Sequence, residues 1–259
     1  MRKFLIAGNW KMNLGREESL KLARALVHTV PADVAAQVAV IPALVHLETV
    51  ADAINGSPIL LGAQNVSSEK KGAFTGEVSA AMLKEFGVKF VLVGHSERRH
   101  ILGETDAFLN KKVHAVVNDG LIAILCVGEL LEERQKNLTN DVVARQLDLG
   151  LAGLAPAAIE KGHLVIAYEP VWAIGTGQTA SKEQAQEVHA FIRARLAARF
   201  SPQLAGTVRI QYGGSAKKSN AQELLAQPDI DGLLVGGASL LAEEFAGIVQ
   251  AAAGAKPGH

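Results

Sequence analysis

One carboxylate, Glu169, begins the segment whose residue types and spacing carry the most chemistry. It follows the apolar run 164–168, which has the length and composition of a buried strand. A rigid proline, a large apolar tryptophan and two glycines come next, before a helix start at Ser181. A base at a strand end, followed by a loop with stiff and flexible joints, is typical of a catalytic group beneath a lid. The alternative is a plain turn with a solvated glutamate. The candidate lid comprises Pro170, Val171, Trp172, Ala173, Ile174, Thr176 and Gly177.

Two glycine pairs further along the chain could bind a phosphate group. Gly213 and Gly214 precede Ser215, and Gly236 and Gly237 precede a helical segment. Glycines let backbone N–H groups approach an anion, and the amino end of a helix adds a favourable dipole. One pair alone usually marks only a tight turn. Two pairs, each directly after a predicted strand, favour a phosphate site.

Polar side chains near two other predicted strand ends could act on a carbonyl group. Lys11, two residues beyond Asn9, could offset the charge of an anionic substrate and polarise its carbonyl. The alternative is a solvated loop lysine. His95 directly precedes Ser96 and a plausible helix start, where an imidazolium is disfavoured, so we expect His95 to be neutral. A neutral imidazole can donate a hydrogen bond to a carbonyl oxygen and pass a proton between neighbouring oxygens.

Together these groups predict one class of reaction. Glu169 would remove a proton α to a carbonyl, His95 and Lys11 would stabilise the enediolate oxygens, and the proton would return to the neighbouring carbon. This is the aldose–ketose isomerisation of a small phosphorylated sugar, and it needs neither a metal nor an organic cofactor. No set of His, Cys and Asp residues has the spacing of metal ligands.

Short continuous apolar runs, separated by helical patterns, must position these residues. Runs of this kind are typical of parallel strands buried on both faces. Eight of them in one chain predict an α/β protein with a closed (β/α)₈ barrel as a single domain over residues 1–259. The alternative is a doubly wound open sheet, which a glycine fingerprint after the first strand would favour, and residues 8–11 do not form one. The predicted strands are residues 4–7, 38–41, 59–62, 90–93, 122–127, 164–168, 208–211 and 232–235.

The barrel makes a geometric prediction, because all eight strand carboxyl ends open on one face, where the active sites of such barrels lie. The polar residues just beyond each strand should therefore converge there. Those residues are Asn9, Lys11, Gln64, Asn65, His95, Glu97, Glu129, Glu169, Tyr212, Gly213, Gly214, Ser215, Gly236 and Gly237, with Glu97 and Tyr212 as supporting residues.

Composition limits the remaining possibilities. The chain has 259 residues, 49% of them hydrophobic, and 26 basic residues balance 26 acidic ones, so no basic stripe indicates nucleic acid. The single cysteine, Cys126, lies in an apolar run, where a packed small hydrophobe is expected rather than a nucleophile. No run is long enough for a signal peptide or a membrane helix, so a cytoplasmic protein with no membrane partner is expected. Residues 251–259 are predicted to be a flexible tail.

From end to end the chain resembles the triosephosphate isomerases, which implies a TIM barrel. The stretches that carry the resemblance are GNWKMN (8–13), GAQN (62–65), TGEVS (75–79), VGHSERR (93–99), CVGE (126–129), AYEPVWAIGTGQT (167–179), YGGS (212–215) and LVGGAS (234–239).

The resemblance implies interconversion of dihydroxyacetone phosphate and D-glyceraldehyde 3-phosphate, in glycolysis and gluconeogenesis, with small phosphorylated trioses as substrates. Glu169 takes the place of the base, His95 of the electrophile, and Lys11 and Asn9 of substrate contacts. The positions that match the phosphate-binding residues of the family are Gly175, Ser215, Gly236 and Gly237.

The resemblance also implies a homodimer, in which the loop 66–79 of one subunit reaches the partner through a tip that includes Thr75 and Gly76. Two departures from the family pattern are Gln178, where the lid commonly ends in lysine, and Ala216, where valine is frequent. Either could alter lid kinetics.

The rival hypotheses are another phosphosugar isomerase on the same barrel and a catalytically silent barrel that binds a sugar phosphate.

Overall fold

Eight parallel strands, each hydrogen-bonded to its neighbours in chain order, close into a barrel in which β1 pairs with both β2 and β8. The structure is a computed structural model and describes residues 2–174 and 179–255. It confirms the predicted (β/α)₈ barrel. The strands are β1 Leu5–Asn9, β2 Gln37–Ile41, β3 Ile59–Ala63, β4 Phe90–Val93, β5 Ile122–Val127, β6 Leu164–Tyr168, β7 Arg209–Tyr212 and β8 Gly232–Val235.

Helices surround the barrel and connect successive strands. In the described part of the chain they are α1 Arg16–Thr29, α2 Leu47–Ile54, α3 Ala80–Glu85, α4 Ser96–His100, α5 Asp106–Asn118, α6 Leu131–Gln135, α7 Thr139–Gly150, α8 Pro156–Glu160, α9 Lys182–Arg199, α10 Pro202–Ala205, α11 Ala221–Leu225 and α12 Ala242–Gly254. The capping box predicted at the start of α9 is present, since Ser181 Oγ accepts from Gln184 N and Gln184 Oε1 accepts from Ser181 N.

Two apolar layers hold the barrel, one inside it and one between its strands and the helices. Alternate residues of each strand face alternate layers, which is why the runs are continuously apolar. In β5, Ile124 and Cys126 lie in the inner layer, while Ala123 and Leu125 pack toward the helices. Burial raises the pKa of the Cys126 thiol well above its usual value, so Cys126 is a packed side chain with no nucleophilic thiolate.

The last helix extends further than the sequence predicts. The flexible tail was predicted from residue 251, but α12 continues to Gly254 and Ala252 is buried in the core. The helix continues because small apolar residues in this segment cover the barrel wall. Residues 256–259 of the predicted tail lie outside the described residues. No helix in the described ranges is long and apolar enough to cross a membrane.

Candidate active site

Nine of the fourteen residues predicted to converge at the strand carboxyl ends line one cavity of about 440 Å³. The five that do not line it are Gln64, Asn65, Glu97, Glu129 and Tyr212. The cavity lies at the carboxyl end of the barrel, between the loops that follow β1, β4, β6, β7 and β8. The residues predicted to form the site that line this cavity are Asn9, Lys11, His95, Glu169, Ile174, Gly213, Gly214, Ser215, Gly236 and Gly237.

Glu169 follows β6 and is only 2% exposed. Its Oε2 accepts a hydrogen bond from the backbone N–H of Ser96 at 2.8 Å, and its Oε1 lies 2.9 Å from His95 Nε2. Two glycines allow this position. A Cβ at Gly128 would lie 1.7 Å from the Glu169 carbonyl oxygen, and a Cβ at Gly213 would lie 2.9 Å from Glu169 Cγ. The first of the two glycine pairs therefore makes room for the carboxylate, a role that the sequence analysis did not assign.

His95 is the residue that caps α4, and both of its ring nitrogens have partners. Nδ1 accepts the backbone N–H of Glu97 at 3.3 Å, so in this arrangement the proton is on Nε2, facing Glu169. Burial lowers the pKa of His95, but the charge and hydrogen bond of Glu169 and the charge of Glu97 outweigh burial and raise it above its usual value. The Nδ1 contact favours the predicted neutral ring, whereas the carboxylates oppose it, so neutrality stays a prediction.

Lys11 is held at the mouth of the cavity in a conformation that is rare for a lysine. Its φ is +52°, in the left-handed region. Its backbone N–H donates to Asn9 Oδ1 at 3.0 Å, and its carbonyl accepts from Gln64 Nε2 at 2.7 Å. Its ammonium lies 2.7 Å from Glu97 Oε1. Glu97 thus lies between Lys11 and His95, with its Oε2 3.4 Å from His95 Nδ1, and its supporting role stays a prediction.

The two candidate phosphate loops follow the neighbouring strands β7 and β8, and both line the cavity. Gly236 precedes a single 3-10 turn, Gly237–Leu240, where the sequence predicted a helix start. Ser239 Oγ donates to Gly236 O at 2.7 Å, which fixes this turn. In the loop that follows β7, the Ser215 carbonyl accepts from Asn220 Nδ2 at 3.0 Å. The backbone of both loops is therefore held in place beside the cavity.

The sequence profile described as triosephosphate isomerase matches residues 4–252 of this chain. The chain belongs to the triosephosphate isomerase family. Triosephosphate isomerases similar to it include that of Rhodopirellula baltica, 54% identical over 97% of this chain and 98% of the relative. That of Thiobacillus denitrificans is 55% identical over 98% and 100%, and that of Prosthecochloris aestuarii is 53% identical over 97% and 99%.

Glu129 has a role in this member of the triosephosphate isomerase family that sequence reasoning did not assign. It is fully buried after β5, and its carboxylate accepts hydrogen bonds from Tyr168 Oη at 3.1 Å and from Trp172 Nε1 at 2.9 Å. Arg134 Nη1 donates to it at 3.2 Å, and the guanidinium stacks on the Trp172 ring at 4.8 Å. Glu129 therefore holds the first residues of the candidate lid. The available signal was a charged residue at a strand end with an arginine, Arg134, five residues further along the chain.

The candidate lid is described only in part. Pro170 precedes a 3-10 turn, Val171–Ala173, and Ile174 reaches the cavity wall. Gly175, Thr176 and Gly177, and the departure at Gln178, lie outside the described residues. Tyr212, the second supporting residue, is buried beside this region, and burial raises its pKa to about 12.

The loop 66–79 is the predicted dimer contact of this triosephosphate isomerase family member. Its base is closed by Ser67 N donating to Val78 O at 2.8 Å, while Thr75 and Gly76 at the tip are exposed. A groove of about 650 Å³ adjoins Asn9, Lys11 and His95 on their outer side. The exposed apolar side chains that line this groove are Met12, Val45, Ile101 and Leu102, and Met12 is 95% exposed.

Proposed function

We propose that this protein interconverts dihydroxyacetone phosphate and D-glyceraldehyde 3-phosphate through an enediolate, with Glu169 as base and His95 as electrophile. The observation that carries the assignment of roles is the pairing of Glu169 Oε1 with His95 Nε2 at 2.9 Å in the wall of one cavity. Lys11 and both glycine loops border the same cavity. A base, a hydrogen-bond donor, a cation and an anion site are the groups that this reaction needs.

The chemical steps follow from these groups. The Glu169 carboxylate takes a proton from the carbon next to the carbonyl, and the electron pair left behind forms a carbon–carbon double bond while the carbonyl oxygen becomes negative. His95 Nε2–H donates to that oxygen, and the Lys11 ammonium stabilises its charge. His95 gives its proton to that oxygen and takes the proton of the neighbouring hydroxyl, and Glu169 delivers its own proton to the former carbonyl carbon. The carbonyl then forms on the carbon that first lost its proton, which completes the exchange of aldehyde and ketone.

Glu169 must change its contacts to do this. Both carboxylate oxygens now face donors, Ser96 N and His95 Nε2. A carboxylate that accepts two hydrogen bonds is a weaker base toward carbon, because its charge is already stabilised. We infer that substrate binding turns Glu169 away from Ser96 and leaves His95 free to donate to the substrate. This movement would also remove the main cause that raises the His95 pKa.

The substrate phosphate would lie against Ser215, Gly236 and Gly237, with Gly175 contributing from the lid. Backbone N–H groups in a fixed, partly buried loop are suited to a dianion. The lid from Pro170 to Gly177 would exclude water and protect the enediolate from loss of its phosphate. No metal and no organic cofactor takes part in this scheme.

The active unit in this proposal is a homodimer in the cytoplasm. The tip of the loop 66–79, with Thr75 and Gly76, would enter the apolar groove of the partner beside Asn9, Lys11 and His95. The exposure of Met12 and of Phe74, which is 47% exposed on the loop, supports this pairing, because a matching apolar loop and apolar groove are otherwise left in water. The single, buried cysteine suits a reducing compartment.

The test of the function is a coupled assay. Purified protein receives dihydroxyacetone phosphate, and glyceraldehyde 3-phosphate is detected through a dehydrogenase that consumes it. Glu169→Gln removes the proposed base and should abolish the signal, whereas Glu223→Gln, at an exposed position on α11, should leave it unchanged. A protein that makes no product, or a Glu169→Gln variant with full activity, would contradict the proposal.

A further inference from the structure

A second cavity lies at the end of the barrel opposite the candidate active site. Its volume is about 320 Å³, and it is bordered by the amino ends of β1, β2, β6 and β7. Arg209 begins β7, six residues before Ser215, and at ~3.3 Å per residue this places the two about 20 Å apart along the chain. The two cavities are therefore separate sites. The polar side chains at the second cavity are those of Arg2, Lys3, Gln37, Thr207 and Arg209.

Arg209 brings a cation to this cavity without a carboxylate beside it. Its Nη1 donates to Gln37 Oε1 at 2.5 Å, and its Cζ lies 5.8 Å from the centre of the Phe90 ring, which belongs to a strand across the barrel. Within residues 2–174 and 179–255, no carboxylate oxygen lies within 4.0 Å of its guanidinium nitrogens. A guanidinium has five N–H donors, so most of those of Arg209 have no acceptor in the described chain.

Arg209 is partly buried, which weakens the hydration of its guanidinium. Desolvation lowers the pKa of Arg209 below its usual value, and the charge of Asp231 opposes this only in part. Taking a charged group out of water without a partner of opposite charge destabilises a protein, and nearby anions offset the loss.

The nearest carboxylate is already occupied by other groups. Asp231 Oδ1 accepts from Arg2 Nε at 2.6 Å, and Asp231 Oδ2 accepts from Arg193 Nη2 at 2.6 Å and from the backbone N–H of Ile210 at 2.9 Å. Lys3, which is exposed at the rim of the cavity, has no ion pair with any described carboxylate. Positive charge is therefore in excess at this end of the barrel.

We propose that the cavity bordered by Arg209 and Lys3 binds a small anion that carries a phosphate group. The planar fork of a guanidinium matches two phosphate oxygens, and a lysine ammonium at the rim adds a mobile second charge. The volume is enough for a phosphate with a short organic substituent. Both free inorganic phosphate and a phosphate monoester offer this chemistry.

The experiment observes Arg209 itself. The protein is labelled with ¹⁵N-arginine, and the Nε–H signal of Arg209 is identified by its absence from Arg209→Gln. Inorganic phosphate is then added at constant ionic strength, with chloride as the reference anion. We expect a saturable shift of this signal with phosphate and none with chloride. A shift that is linear in phosphate, or equal for both anions, overturns the proposal.

A charge variant tests the second contact. Lys3→Met should weaken the phosphate affinity read from Arg209 by roughly three- to tenfold, as expected for the loss of one partly solvated charge. Lys21→Met, on the exposed face of α1, is the matched control and should leave the affinity unchanged. Equal affinities in the two variants would overturn the role of Lys3. If Arg209→Gln does not fold, Arg209→Lys, which keeps the positive charge and lacks the guanidinium, supplies the assignment instead.

A second ligand distinguishes the two sources of the phosphate group. Glycerol 3-phosphate is titrated under the same conditions. Tighter binding than inorganic phosphate assigns the cavity to phosphate monoesters, and equal or weaker binding assigns it to the free ion. Because the readout is the Arg209 signal and not turnover, its outcome does not depend on the function proposed for the other end of the barrel.

Discussion

At the scale of single residues, Glu169 has the least freedom to change. Its carboxylate reaches Ser96 N and His95 Nε2 at hydrogen-bond distance, and the missing Cβ atoms of Gly128 and Gly213 leave the space that it occupies. Glu169→Asp keeps the charge but withdraws it by one methylene, and a misplacement of about 1 Å can lower a rate by ~10²-fold. We expect kcat to fall by about that factor with KM nearly unchanged.

Steady-state kinetics in both directions measure this effect. Glu160→Asp, at an exposed position on α8, is the matched control for the same change of side chain. Near-normal turnover in Glu169→Asp would exclude Glu169 as the base.

A buried histidine away from the cavity makes stability depend on pH. His189 is fully buried against Tyr168 and Tyr212, its Nδ1 lies 3.1 Å from Asp229 O, and its Nε2 has no hydrogen-bond partner among the described residues. Burial lowers the pKa of His189 from 6.5 to about 4, and the charge of Arg193 adds to the effect. His189 is therefore neutral in the folded protein at neutral pH.

Because the folded pKa lies below the unfolded one, the stability from His189 is complete above pH 6.5 and is lost as pH falls from 6.5 to about 4. The loss amounts to about 3 kcal/mol, since one pKa unit corresponds to ~1.4 kcal/mol. Urea unfolding at fixed protein concentration between pH 7.5 and pH 4 measures it. His189→Leu should flatten the curve, and the exposed control His28→Gln should not. Equal slopes in wild type and His189→Leu would refute this origin.

At the scale of elements, the strands were predictable because their signal is local. Continuous apolar runs predicted all eight, and the differences at their ends are one or two residues: β1, for example, continues to Asn9 rather than ending at residue 7. The extra residues matter, since they bring Asn9 into the barrel wall. Ends are set by pairing with neighbouring strands, here Asn9 with Ile41, which a single run cannot reveal.

The elements of the site were predictable in type but not in detail. Nine of the fourteen predicted strand-end residues line one cavity, because closure of the barrel alone brings strand ends together. The positive φ of Lys11 depends on contacts between distant segments, such as that of Gln64 with Lys11. The same holds for the Glu129 clamp, by which we mean the hydrogen bonds that Glu129 accepts from Tyr168, Trp172 and Arg134. No local pattern encodes such contacts.

Glu129 couples β5 to the start of the candidate lid, and this coupling can be tested. In Glu129→Gln the amide has less charge to offer to Trp172 Nε1 and loses the ion pair with Arg134. We expect a loss of about 1–3 kcal/mol in the free energy of unfolding, because buried donors lose a charged acceptor. Denaturant unfolding measures the loss, and Trp172 fluorescence should shift with it. Glu132→Gln, exposed on the adjacent α6, is the control, and equal stability of the two variants would exclude the clamp.

At the scale of the whole molecule, one groove exposes apolar side chains that no contact within the described part of a single barrel covers. Met12, Val45, Ile101 and Leu102 surround one groove, and Phe74 stands on a loop of the same face. A two-fold dimer can bury both copies of the loop and both grooves at once. The inner wall of that groove is made by Lys11, His95 and Glu97, so a partner would also hold the catalytic groups in place.

The prediction is that assembly and activity are lost together. Replacing residues 68–76 with a short glycine–serine turn removes the tip but keeps the base of the loop, where Ser67 N bonds Val78 O. We expect a folded monomer with kcat reduced by at least ~10²-fold, because catalytic groups must be positioned within about 0.5 Å. Sedimentation and kinetics on the same sample, with circular dichroism for the fold, measure all three properties. Replacing the exposed turn 136–138 in the same way is the control. A fully active monomer would separate activity from assembly, and an unchanged dimer would show that the contact lies elsewhere on the barrel.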